Sequence, residues 1–124
     1  MDERKVPPVP KGSGPSGRKL WRSIMGDLDL DSHEELVLLQ AVRAVDRLDA
    51  MAAELENSPL TVTNSKGDEV AHPLLTESRQ QSLLLARLVA SLRLPNGLQE
   101  GETDMDRPQR RGAARGAYNL RRVQ

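Results

Sequence analysis

At 124 residues, with no cysteine and only two histidines, the chain excludes disulfides and thiolate metal sites and is sized for one domain. Phe is absent and Trp21 and Tyr118 are the only aromatics, so the core must be aliphatic. No apolar run approaches the roughly 18 residues of a membrane span. The charged N-terminus lacks the apolar stretch of a signal peptide, so a cytosolic protein is expected. The net charge of zero hides a pattern. Residues 1–26 carry six Lys/Arg against two Asp/Glu, residues 27–94 six against twelve, and residues 95–124 six against four. Basic ends around an acidic middle point to a polyanion at the ends, although solvated tails produce the same distribution.

Pro7, Pro8, Pro10 and Pro15, with Gly12, Gly14 and Gly17, make residues 1–17 read as a flexible Pro/Gly-rich arm. Residues 18–26 follow as a short helix with Leu20, Trp21, Ile24 and Met25 on one stripe and Gly26 as its stop. Ser32 with Glu35 three residues on forms a capping box for a second helix, which holds its pattern to about Glu56. Leu38, Ala41, Val45, Leu48, Ala52 and Leu55 recur at spacings of three and four, a coiled-coil-like seam. About 25 residues give that helix a length of roughly 37 Å. Asn57, Ser58 and Pro59 end it. Residues 60–63 and 68–71 are β-prone around the turn Asn64-Ser65-Lys66-Gly67, which predicts a small β-hairpin, with an ordered loop as the alternative. Pro73 opens a third helix running to about Arg93, with Leu74, Gln81, Leu85, Leu88 and Leu92 on one face and Pro95-Asn96-Gly97 closing it. Residues 96–124 read as a disordered Arg-rich tail. The expected architecture is mainly α. An antiparallel helical hairpin follows a short helix, and a small β-hairpin or loop lies between the long helices. Residues 18–95 form the helical oligomerisation domain between disordered ends.

Both long helices carry more apolar surface than one seam uses: Leu36, Val37, Leu39, Val42 and Met51 on the first, Leu83, Leu84 and Val89 on the second. Such a surplus predicts a homo-oligomer, with Leu36, Leu39, Val42, Leu83, Leu84 and Val89 as interface residues. The competing reading is that the Trp21 helix covers the surplus within one chain.

The sequence offers no catalytic constellation and no cofactor. Asp27, Asp29 and Asp31 alternate like the start of a calcium loop, but Ser32 and Leu38 stand where such a loop needs Gly and Glu, so helix capping explains them better. His33 reads as a surface residue and His72 as part of a helix start; neither pairs with a nucleophile. Ser65-Lys66-Gly67 lacks the spacing of a phosphate-binding loop. The basic ends are the candidate DNA-binding elements. Arg18, Lys19 and Arg22 lie on the short helix, and Arg107, Arg110, Arg111, Arg115, Arg121 and Arg122 are scattered through the tail. Such segments bind phosphates through counterion release, with little sequence information.

Four stretches follow one another in this order: Arg18-Lys19-Leu20-Trp21-Arg22; Ala44-Val45-Asp46-Arg47-Leu48-Asp49; Leu60 to Gly67; and His72-Pro73-Leu74-Leu75 leading to Leu92-Arg93-Leu94-Pro95. Over residues 18–95 the chain resembles a family of small terminase subunits from tailed phages of actinobacteria. The resemblance implies a homo-oligomer, in rings or similar assemblies, that binds double-stranded viral DNA. It also implies delivery of that DNA to the terminase large subunit, which holds the ATPase and nuclease, so this chain is expected not to be an enzyme. It places the protein in the host cytoplasm for viral genome packaging, and carries over no base-contacting positions. Two further readings compete with it. One is a helical adaptor or scaffold acting only through protein–protein contacts, and the other is a small regulator with a basic tail.

Overall fold

The computed structural model describes residues 6–95 and 108–110. Helix α1 (Pro15–Asp27) starts three residues earlier than the sequence pattern indicates and runs through Gly26. Pro15 sits in its first turn, where a missing N–H costs nothing and the fixed φ is already helical. Gly17, Trp21, Ile24 and Met25 form its buried stripe. Strand β1 (Leu28–Asp29) leads to helix α2 (Ser32–Glu56). The cap of α2 is Asp31 rather than Ser32, one residue earlier than expected: the Asp31 N–H donates to Glu34 Oε1 at 2.7 Å.

The β-prone segment after Pro59 forms the predicted hairpin. Strands β2 (Thr61–Thr63) and β3 (Glu69–Ala71) pair antiparallel, with Val62 opposite Val70. Asn64 builds the turn. Its Oδ1 accepts the N–H groups of Lys66 and Asp68, both at 2.9 Å, and Gly67 takes the positive φ of 84° that a side chain resists. Helix α3 (Pro73–Leu92) then returns along α2. His72 caps it, Nδ1 accepting the Leu74 N–H at 3.1 Å, and Arg93 closes it in the left-handed conformation. Strand β4 (Gln109–Arg110) lies within the tail to which the sequence assigned no structure, and it pairs antiparallel with β1.

Burial divides the molecule into a base and a stalk. Trp21, Ile24, Met25, Leu28, Leu30, Leu38, Val42 and Leu92 form one buried cluster. It joins α1 to the start of α2 and the end of α3, which fixes the two long helices as antiparallel. Beyond Ala44 in α2, and before Leu92 in α3, no helical residue is fully buried. There the seam is half-buried: Val45, Leu48, Met51 and Leu55 on α2, and Leu74, Gln81, Leu85 and Leu88 on α3. Ala52, expected in the seam, is exposed, and Met51 takes its place one position earlier. Gln81 sits in this seam with its Oε1 buried and without a hydrogen-bond partner among the described residues. The stalk is therefore a two-helix projection tipped by the β-hairpin. A two-helix arrangement buries too little apolar surface to be robust alone.

The arm is bound to the base along its described part. The Trp21 indole N–H donates to the Pro7 carbonyl at 3.0 Å, and Val9 packs on the core. A buried indole needs an acceptor, and the arm supplies it. Gly12, at φ 83°, turns the chain so that Ser13 Oγ donates to the Pro10 carbonyl at 2.7 Å. Residues 7–17 thus follow a defined path instead of extending freely.

Candidate nucleic-acid interface

Helix α1 buries its apolar stripe and turns its charges outward, as its period demands. Lys19 and Arg22, three residues apart on one face, are exposed. Arg18 is half-buried, and its Nη1 donates to the Ser13 carbonyl at 2.6 Å, so part of this guanidinium holds the arm. The structure keeps the three residues on one helix but gives Arg18 a different task from the other two.

The N-terminus of α1 rests on α2 through one carboxylate. Asp46 Oδ2 accepts the Gly14 N–H at 2.7 Å and Asp46 Oδ1 accepts the Gly17 N–H at 2.8 Å. These are amides that a helix start leaves without intrahelical partners, and a carboxylate there also meets the positive end of the helix dipole. Ser16 Oγ donates to Asp49 Oδ2 one turn further along α2. The approach requires glycine: a Cβ on Gly17 would lie 2.3 Å from Asp46 Oδ2. This clamp explains the early start of α1. Its parts lie about 30 residues apart in the chain, so local pattern gave no sign of it.

Beside the clamp, the arm turn and α2 enclose an open groove of about 230 Å³. Lys11 lines it from the arm, Arg43 and Arg47 line it from α2, and Pro10 and Leu39 supply apolar walls. All three cations are exposed. The sequence reading missed this cluster. The one available signal was Arg43 and Arg47 at a spacing of four, which places them on one helical face.

The expected interface residues separate into three groups. Leu36, Leu83 and Leu84 are 64%, 54% and 42% exposed. Leu39 and Val89 are half-buried, Leu39 against the core cluster. Val42 is corrected: at 1% exposure it belongs to the core, because α1 covers this part of α2. The competing expectation, that the Trp21 helix covers the apolar surplus, therefore holds for Val42 and not for Leu36, Leu83 or Leu84. The β-hairpin adds two exposed apolar side chains that the pattern did not single out, Leu60 and Val70.

The three alternating aspartates have separate positions: Asp27 ends α1, Asp29 lies in β1 and Asp31 caps α2. Asp31, His33 and Glu34 bring ligand atoms within 4.8 Å of one another, but Asp31 and His33 are exposed and Glu34 is engaged in capping. Of the tail arginines, Arg110 lies in β4, its backbone beside Leu28. Arg107, Arg111, Arg115, Arg121 and Arg122 fall outside the described residues. No helix among the described residues is long and apolar enough to cross a membrane. No family model, curated protein or solved structure matches the chain.

Proposed function

We infer that the chain acts as its sequence resemblance implies: a small terminase subunit, not itself an enzyme, that assembles with copies of itself. It binds double-stranded viral DNA and passes it to the terminase large subunit in the host cytoplasm. The observation that carries this reading is the set of cations on the arm, on α1 and on the stretch of α2 beside them. Lys11, Arg18, Lys19, Arg22, Arg43 and Arg47 gather on the arm, on α1 and on the stretch of α2 they meet. The far part of the molecule carries Glu54, Glu56, Asp68, Glu69 and Glu77 against Lys66, Arg79 and Arg87. A duplex is attracted to the cations of the arm, α1 and α2. Leu36, Leu83 and Leu84 are the apolar surface that supports self-assembly.

The exposed leucines also favour the second reading, an adaptor that works only through protein contacts. Native mass spectrometry with and without short duplex DNA separates the two. Oligomers that gain mass with DNA are expected. Oligomers that bind no DNA leave the adaptor, and a monomer at tens of micromolar removes the assembly on which the first reading depends.

A further inference from the structure

We propose that the groove between the arm and α2 is a phosphate subsite for a nucleic-acid backbone, with Lys11, Arg43 and Arg47 as its cations. The proposal rests on the DNA-binding reading and names the contact within it. Three observations lead to it. First, the fold assembles the cluster from distant segments: the turn at Gly12 brings Lys11 against a helix face more than 30 residues away in sequence. Second, the lining carries an excess of positive charge, three cations against the one carboxylate of Asp46. Arg43 and Arg47, one turn apart, repel each other, and Lys11 adds a third positive charge. An anion held among them adds an attraction to each cation, which offsets their mutual repulsion.

Third, the one carboxylate among the lining residues is already committed. Both oxygens of Asp46 accept amide hydrogens of α1, at 2.7 and 2.8 Å, so it serves the helix start before it serves the arginines. The groove is small and open to solvent. About 230 Å³ lies below the roughly 300–1,000 Å³ of sites that enclose a drug-sized molecule, and suits one charged group better than a whole nucleotide. Two planar guanidinium forks and a flexible ammonium match the tetrahedral oxygens of a phosphate. Such contacts fix a duplex in position and read no bases.

The test uses the full chain and a short random-sequence duplex, with affinity measured between about 50 and 200 mM salt. Each phosphate contact contributes about 0.9 to the slope of log K against log salt. Arg43→Gln with Arg47→Gln should lower the slope by roughly 2 for each subunit in contact, and Lys11→Gln alone by roughly 1. Lys11 lies outside the helices, so its variant keeps the test valid if the double variant misfolds. Lys66→Gln, at the far β-turn, should change nothing. An unchanged slope in both groove variants, with wild-type binding intact, overturns the subsite and leaves the DNA-binding reading standing. Absence of wild-type binding overturns both. Inorganic phosphate provides the second arm. If it raises the wild-type melting temperature but not that of the double variant, while both bind DNA equally, the groove takes free phosphate and the backbone proposal fails.

Discussion

Asp46 should be the polar side chain on which the base most depends, and the dependence can be measured together with its cause. Asp46→Ala removes two hydrogen bonds to a charged acceptor, 2.7 and 2.8 Å long, at a helix start. Hydrogen bonds to charged groups contribute roughly 1.5–3 kcal/mol each, and loss of a helix cap costs about 0.5–2 kcal/mol. Asp46 is half-buried and water can re-enter, so we expect a loss of about 2–4 kcal/mol. For a domain of this size that corresponds to a melting temperature lower by on the order of 10–25 °C. Gly17→Ala should act through the same contact. The three atoms nearest its added Cβ all belong to Asp46, the closest at 2.3 Å, so the carboxylate must leave its amides. In the Asp46→Ala background that obstacle is gone, and alanine's helical preference, about 1 kcal/mol over glycine, should make Gly17→Ala stabilising. Thermal denaturation followed by far-UV circular dichroism, at one fixed protein concentration because assembly shifts the apparent stability, measures all four variants of this cycle. Equal destabilisation by Gly17→Ala in both backgrounds would show that the glycine is required for some reason other than the carboxylate.

Leu84→Asp should leave the helical signal intact and lower the mass seen by light scattering, since the side chain is 42% exposed; an unchanged mass removes Leu84 from any interface. Val42→Asp should instead unfold the base, because it places an unpaired charge at a site 1% exposed, at a cost above about 3 kcal/mol. Gln81→Met should stabilise the chain by about 1–3 kcal/mol in urea denaturation, because it removes the buried Oε1 that lacks a partner. Deleting residues 1–10 should shift Trp21 emission to longer wavelength, since Pro7 and Val9 shield and bond it; an unshifted spectrum would mean that the arm does not cover the indole.

What the sequence disclosed was what local chemistry decides. The lengths of α2 and α3, the Asn64–Gly67 turn and the α3 face through Leu74, Gln81, Leu85, Leu88 and Leu92 follow from periodicity and turn residues within a few positions of each other. Two of the misassignments have a different origin. The start of α1 is set by a carboxylate about 30 residues downstream, and Val42 is buried by a helix whose docking no periodicity specifies. A pattern shows that a helix has two apolar stripes, but not which neighbour takes each one. The groove was illegible for the same reason: Lys11 and the pair Arg43 and Arg47 become one cluster only when the arm folds back.

That geometry couples the two halves of the proposal. The consecutive positions Asp46 and Arg47 face different tasks, the carboxylate holding the start of α1 and the guanidinium lining the groove. Arg18, by donating to the Ser13 carbonyl, holds the same arm turn. The groove exists only while the arm is docked, so an anion bound there stabilises docking by the same free energy that docking contributes to binding. At a hundredfold excess over its dissociation constant, that stabilisation is about 2.7 kcal/mol, comparable with the expected contribution of the Asp46 clamp. Substitutions in the clamp should therefore weaken DNA binding although Asp46 bears the wrong charge to touch a phosphate. A purely electrostatic account that ignores docking predicts the opposite, since removing a negative charge beside Arg43 and Arg47 should strengthen binding. The sign of the change in affinity for Asp46→Ala, measured where the variant is still folded, decides between them.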